Sequence, residues 1–254
     1  MSTRFADKVL VVSGGGHGIG RATAERIGSE GARVAVLDLR RAAAEETVEL
    51  LEREHVEAAA FEADCADPVT VESTIAAVLE RFGRIDVLHS NAGVLLPASA
   101  AEQSVETWDR SFEVNVRAYF LLARAVLPGM LGRGSGAIIA TASTSGVVGE
   151  AGLAAYCASK AAVINLTRQM AVDYAGSGVR VNCVCPGWID TGFNDPVLAD
   201  VSDEELAELV DTFVPLKRQG RPEEIAACVA FLASDDASLV NGHALVADGA
   251  LTAM

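Results

Sequence analysis

Apolar residues along this chain come in short unbroken runs rather than in alternation. Lys8–Ser13 (KVLVVS), Arg33–Leu39 (RVAVLDL), Glu57–Glu62, Ile85–His89 (IDVLH), Gly136–Ala142 (GAIIATA), Val179–Cys185 (VRVNCVC) and His243–Ala247 each read as a strand covered on both faces. Between them lie stretches of helical composition: Arg21–Glu30, Arg41–Glu54, the run opened by Asp67-Pro68 and closed by Gly83, Val105–Leu131, Ala154–Asp173, and Pro222–Ala233. Thr191–Thr212 is polar, acidic and weakly helical. Strand–helix alternation of this kind predicts an α/β protein with a doubly wound parallel sheet of about seven strands and helices on both faces. No internal repeat, low-complexity tract or linker divides the chain, so residues 1–254 are expected to form a single domain.

The link between the first strand and the first helix is Ser13-Gly14-Gly15-Gly16-His17-Gly18-Ile19-Gly20. Its spacing is GxxxGxG (Gly14, Gly18, Gly20) and not GxGxxG. The physics is shared: missing side chains let the backbone approach a pyrophosphate, and a helix N-terminus offers free N–H groups and a positive dipole end. Tight turns also use glycine, so it is the strand–loop–helix setting that points to a dinucleotide. Asp38 ends the second strand. An acid there accepts hydrogen bonds from ribose hydroxyls and repels a 2′-phosphate, which predicts NAD over NADP. Arg40 and Arg41 follow and could bind a phosphate, and a plain helix-start role for Asp38 is the other reading.

Ser143–Lys160 (STSGVVGEAGLAAYCASK) carries the candidate chemistry. On the expected helix, Tyr156 and Lys160 stand four residues apart and so share a face. A nearby cation favours phenolate. Bringing a phenol from about 10 to near 7 takes roughly 4 kcal/mol, which a partly desolvated lysine could largely supply. An amphipathic helix with an incidental Tyr and Lys would show the same spacing. The chain has three lysines (Lys8, Lys160, Lys217) against seventeen arginines, so a lysine here is poorly explained as surface filler.

Composition narrows the class. The net charge of −15 argues against nucleic acid or an anionic membrane as partner. No apolar run approaches the ~18–20 residues of a membrane span, the longest candidate (Ala118–Pro128) being broken by Arg124. The N-terminus MSTRFADKVLVVSGGG does not read as a signal peptide. Five cysteines without pairing-like spacing fit a reduced, cytoplasmic chain. Cys183 and Cys185 share one strand face and read as core. A CxC metal site lacks a visible second ligand pair, and the four histidines are scattered, so no metal is expected.

Together these motifs resemble the short-chain dehydrogenases/reductases, the subgroup of about this length, from Lys8 to Gly249. Ser13-Gly14-xxx-Gly18-Ile19-Gly20 resembles TGxxxGIG, with Ser for Thr. Ser90-Asn91-Ala92-Gly93 resembles NNAG, with Ser for the first Asn. Ser143, Tyr156 and Lys160 match the family's serine and YxxxK, and Asn115 in EVNVRA takes the place of its active-site asparagine. The resemblance implies a Rossmann-like fold and a nicotinamide cofactor. It also implies that Asp64-Cys65 approach the adenine and that Pro186-Gly187-Trp188-Ile189-Asp190-Thr191 contact the nicotinamide. The cofactor set is then Ser13, Gly14, Gly16, His17, Gly18, Ile19, Gly20, Asp38, Leu39, Asp64, Cys65, Asn91, Ala92, Gly93, Tyr156, Lys160, Pro186, Gly187, Ile189 and Thr191. Tyr156 would be the general acid/base and Lys160 would lower its pKa and hold the nicotinamide ribose. Ser143 would polarise the substrate oxygen, and Asn115 would hold a water of a proton relay. A turn or cap role for Ser143 and a helix hydrogen bond for Asn115 are the plain alternatives.

The substrate pocket is expected from Val94–Leu96, Thr144–Leu153, Trp188 and Phe193–Phe213. Its named residues are Leu95, Ser143, Glu150, Tyr156, Trp188 and Phe193, with Leu96, Val147 and Val148 adding apolar wall. The segment at about 192–214 reads as a lid over the site or as a solvated surface helix. Glu150 could bond a second hydroxyl of a diol, polyol or sugar, or simply face solvent. The resulting expectation is an NAD-dependent oxidoreductase acting on a secondary alcohol or ketone. The alternatives are a 3-oxoacyl-thioester reductase and, in another class, a non-catalytic nucleotide-binding protein. Small and apolar residues on several helix faces, and the apolar ending ADGALTAM, suggest a homo-oligomer, and the resemblance implies a homotetramer.

Overall fold

The computed structural model describes residues 3–199 and 201–253. Asp200, within the 192–214 segment, and Met254, at the apolar C-terminus, lie outside the described residues, as do Met1 and Ser2. The strands are β1 (Val9–Ser13), β2 (Arg33–Asp38), β3 (Ala58–Glu62), β4 (Val87–Ser90), β5 (Gly136–Thr141), β6 (Val179–Pro186) and β7 (Ala244–Ala247). The helices are α1 (Gly18–Ser29), α2 (Arg41–Arg53), α3 (Pro68–Phe82), α4 (Val105–Phe112), α5 (Ala118–Arg133), α6 (Ala154–Tyr174), α7 (Asp195–Leu198), α8 (Asp203–Phe213) and α9 (Pro222–Ala233).

All seven strands are parallel, in the order β3-β2-β1-β4-β5-β6-β7. The chain therefore steps outward from β1 to β3 and then restarts on the other side of β1. That reversal opens a crevice between the C-terminal ends of β1 and β4, where ligands settle in open α/β sheets. The register holds Ser13 beside Ser90, and Ser90 beside Ala140.

The unbroken apolar strands are explained by burial on both sides. Val9, Val11, Leu88, Ile138 and Val181 face α3, α5 and α6. Leu10, Val12, Val34, Val36, Ile139 and Val184 face α1, α2 and α9. Each such side chain contributes about 1.5–3 kcal/mol when fully buried, so these two layers dominate stability.

Two element boundaries differ from expectation. Helix α1 begins at Gly18, three residues before Arg21, because the last glycines of the loop form its first turn. The segment expected to be weakly helical contains α7 and α8; α8 is nucleated by a capping box in which Ser202 and Glu205 satisfy each other's backbone N–H groups. The helical stretch Val105–Arg133 has the length and mean hydropathy of a membrane span. Its inward residues Leu121, Leu122, Val126 and Met130 are, however, spent on the sheet.

Candidate active site

A cavity of about 450 Å³ opens at the C-terminal ends of the central strands. At one end it is floored by the glycine loop. Gly14, His17, Gly18 and Ile19 line it. Helix α1 has no side-chain cap at His17, so the N–H groups of its first turn stay free for a ligand. Gly20 has no room for a side chain: a Cβ there would lie 2.1 Å from the Gly14 carbonyl oxygen. A bare backbone cradle on an uncapped helix N-terminus fits the pyrophosphate of a dinucleotide.

Ser13, Gly16 and Gly20, expected to touch the cofactor, stand behind the cradle instead. Ser13 Oγ accepts hydrogen bonds from the N–H groups of Asn91 (3.0 Å) and Ala92 (3.2 Å), tying β1 to the loop after β4. The Gly16 N–H donates to Asp38 Oδ2 at 3.0 Å. Asn91 Nδ2 donates to the Gly14 carbonyl at 3.2 Å. Ser13, Gly16 and Gly20 do not themselves line the cavity.

Asp38 lies beside this cradle, buried yet lining the cavity with Leu39 and Arg40. Its Oδ1 accepts from the Arg40 N–H at 3.0 Å. Arg40, not Asp38, is the N-cap residue of α2, so starting that helix is not the role of the carboxylate. It joins the glycine loop to the β2–α2 turn and keeps lone pairs for further donors. Asp64 and Cys65 continue the same wall. Burial, reinforced by Asp64 and Asp38, pushes the Cys65 thiol up to about 12.

At the other end Tyr156 and Lys160 project from one face of α6, with Lys160 Nζ 5.6 Å from the phenol ring centre. Lys160 is buried and donates to the Thr141 carbonyl at 2.8 Å. Burial pushes its ammonium down to about 8, opposed by the thiols of Cys185 and Cys183. Burial also pushes the Tyr156 phenol above its ordinary value, while the Ser143 hydroxyl lowers it. This corrects the expectation that Lys160 brings the phenol down directly. The ammonium is turned to Thr141, so desolvation outweighs the cation.

Asn115 sits in a π-helical turn, Glu113–Arg117, between α4 and α5. Its Oδ1 accepts from the Val94 N–H (2.8 Å), and its Nδ2 donates to the Val94 carbonyl (3.0 Å) and to Ser159 Oγ (2.9 Å). The amide is thus a clamp between the loop after β4 and α6. Both its N–H groups are committed, and Oδ1 keeps one lone pair.

Ser143 precedes a short 3₁₀ turn, Thr144–Gly146, and its Oγ accepts from the Ser145 N–H at 3.1 Å. The cap role and a place in the cavity therefore coexist. Leu95, Glu150, Tyr156, Trp188 and Phe193 line the same end, as do Pro186, Gly187, Ile189 and Thr191. The Phe193 ring is 6.0 Å from that of Tyr156. Of the 193–213 segment, Phe193, Asn194 and Val197 reach the cavity and α8 does not. Val147 and Val148 are exposed on the surface, and Leu96 does not line the cavity. Both valines follow the 3₁₀ turn, which carries them past the site.

Ser145 falls within the expected Thr144–Leu153 wall, whereas sequence reasoning missed Arg110 and the pair His89–Thr141. Arg110 lines the cavity and reaches Glu113 at 3.5 Å. Nothing in its helical surroundings singles it out. Thr141 Oγ1 donates to Asn91 Oδ1 at 3.0 Å and so accepts from His89 Nε2 at 2.9 Å, which fixes the proton on Nε2. His89 Nδ1 has no partner. Burial pushes the imidazole down to about 3. Above about 6.5 it is neutral in both folded and unfolded chains. As pH falls further, the unfolded chain takes the proton first, so stability is lost progressively down to about 3. Between pH 7 and 4.5 the wild type is expected to lose about 2–3 kcal/mol more than His89→Val in denaturant titrations. Equal losses would mean that His89 is not held neutral.

The family model described as enoyl-(acyl carrier protein) reductase matches residues 14–252. The chain is 41% identical over 256 residues to 2-(S)-hydroxypropyl-CoM dehydrogenase 3 of Xanthobacter autotrophicus, covering 100% of both chains. It is 41% identical over 250 residues to meso-2,3-butanediol dehydrogenase of Serratia marcescens, covering 98% of this chain and 96% of that one. Among solved structures, a protein assigned as an NAD(P)-dependent gluconate 5-dehydrogenase from Beutenbergia cavernae, with NADP bound at low occupancy, is 37% identical. It superposes with a TM-score of 0.92 over 98% of each chain.

Proposed function

The chain belongs to the short-chain dehydrogenase/reductase family, and we propose that it is an NAD-dependent enzyme with Tyr156 Oη as the proton-transferring atom. The reaction class is that of its relatives, interconversion of a secondary alcohol and its ketone. The observation that carries the proposal is a buried phenol flanked by Ser143 and Lys160 in the same cavity as the glycine cradle. When bound, the nicotinamide takes or gives the hydride of the carbinol carbon. Tyr156 Oη takes the hydroxyl proton in oxidation and returns it in reduction. Lys160, its ammonium bonded to the Thr141 carbonyl, would hold the nicotinamide ribose. Ser143 orients the reacting oxygen, and the first turn of α1 would hold the pyrophosphate. Reduction of NAD by the purified protein with a panel of secondary alcohols tests this; no turnover with any of them would refute it.

Asp38 supports NAD over NADP, because a 2′-phosphate would have to approach a buried carboxylate. Asp38→Ser is expected to cut the NAD-over-NADP preference in kcat/KM at least about tenfold, the worth of one charged hydrogen bond. An unchanged ratio would assign the selectivity elsewhere, with Arg40 the neighbouring candidate. The thioester-reductase alternative is disfavoured by the same carboxylate. A non-catalytic role is disfavoured by the intact Asn115, Ser143, Tyr156 and Lys160 set.

A homotetramer is supported by exposed apolar residues on two sets of elements. Val105, Trp108, Phe120 and Val172 are exposed on α4, α5 and α6, while Phe231, Leu239 and Val246 are exposed by α9 and β7. Two such sets suit an assembly with two kinds of twofold contact. Light scattering is expected to read four subunits at micromolar concentration; a monomer would contradict it.

A further inference from the structure

Three oxygen-bearing side chains form a directed chain at the rim of the reacting end. Ser145 Oγ donates to Glu150 Oε2 at 2.6 Å. Ser143 Oγ donates to Ser145 Oγ at 3.2 Å. A hydroxyl has one proton, and here the terminal carboxylate, which can only accept, sets the direction. The proton of Ser145 is committed to Glu150, while that of Ser143 stands between two acceptors, Ser145 Oγ and the Tyr156 oxygen. What remains toward the cavity, which all three residues line, is a row of lone pairs. A molecule that satisfies this row must bring donors.

The reacting hydroxyl gives its one proton to Tyr156 Oη in the proposed mechanism, so it is not the donor that meets this row. A separate donor would meet Ser145 and Glu150. The 3.2 Å between the two serine oxygens is close to the spacing of hydroxyls on adjacent carbons. Most of the rest of this end is apolar, with Leu95, Leu153, Trp188, Phe193 and Val197 beside Asn194. A neutral hydroxyl suits such walls better than an ammonium does.

We propose that Ser145 and Glu150 form a subsite for the neighbouring hydroxyl, so that the substrate is a vicinal diol oxidised to an α-hydroxyketone. This rests on the alcohol-dehydrogenase reading above. The carbinol carbon loses a hydride to NAD and its hydroxyl loses a proton by way of Tyr156, leaving the ketone, NADH and one proton. The second hydroxyl is untouched.

The test compares three substrates on one carbon skeleton: 2-propanol, 1,2-propanediol (both enantiomers) and 1-amino-2-propanol, each with NAD. The wild type is expected to favour the better diol enantiomer over 2-propanol in kcat/KM by about 10- to 100-fold, the range of one hydrogen bond to a charged group. Glu150→Ala and Ser145→Ala are expected to shrink that ratio by a similar factor. Equal wild-type rates on diol and mono-alcohol would overturn the subsite even if no variant folded. Equal fractional losses on both substrates would make Glu150 a support for the Ser143 turn and overturn it too. Preference for the amino alcohol over the diol would overturn the hydroxyl assignment. Turnover of none of these, nor of larger secondary alcohols, would instead remove the underlying reading.

Discussion

Tyr156→Phe is expected to cut turnover at least about a hundredfold, the low end for lost acid/base catalysis, while NAD binds nearly as before. The substitution removes one oxygen and leaves the ring against Phe193 and its neighbours Leu95 and Leu153. Packing of α6 on the sheet should therefore survive. The glycine cradle and Asp38 lie at the far end of the cavity and do not touch the phenol. Single-turnover kinetics together with NADH fluorescence titration separates the two effects. Near-normal turnover would transfer the proton to another group and sink the mechanism. Loss of cofactor binding in parallel with turnover would mean that the ring has been displaced.

The second large effect concerns a position that carries no chemistry. Gly146 ends the turn that carries Ser143, and it packs directly on the backbone of α6. A Cβ there would lie 2.7 Å from the Lys160 carbonyl carbon and 2.8 Å from its oxygen. Helix backbone cannot yield as a flexible side chain can, so the turn must retreat. Gly146→Ala is expected to cost about 1–3 kcal/mol of stability as an overpacked contact. Because the retreat carries Ser143 away from Tyr156, kcat/KM should fall by about a hundredfold, the usual effect of a 1 Å misplacement. Thermal denaturation and steady-state kinetics check the two parts. Wild-type values for both would show that the turn can slide without consequence.

Much of the fold was legible because its physics is local. A strand buried on both faces is apolar at most of its positions, and the runs Val9–Val12 and, around the buried Asn182, Val181–Cys185 show that without reference to the rest of the chain. Part of the candidate site was legible for a similar reason: helical spacing places Tyr156 and Lys160 on one face of α6, whereas Ser143 and Asn115 come from the motif resemblance alone. What escaped depends on contacts between distant segments. His89 and Thr141 meet because β4 and β5 lie side by side in register, and no spacing within either strand announces it. The direction of the Lys160 hydrogen bond likewise depends on where β5 ends. Val147 and Val148 were assigned to the pocket by proximity in sequence to Ser143, but a 3₁₀ turn carries them to the surface. Ser13, Gly16 and Gly20 belong to the glycine motif, yet they lie behind the cavity wall, held by contacts to Asn91, Asp38 and Gly14.

The π turn at Glu113–Arg117 makes the helix around it intolerant of changes in length. Each residue of an α-helix advances the face by about 100°, so adding or removing one residue in the turn would rotate everything beyond it by that angle. Upstream, Trp108 is exposed and stacks on the half-buried Phe112; downstream, Tyr119 and Leu122 point into the core. One wide turn lets a single rod keep both orientations while directing Asn115 toward Val94 and Ser159. Point substitutions along this rod should be absorbed more readily than any insertion or deletion, which makes residue 113–117 the stretch where this protein's sequence length is most tightly fixed.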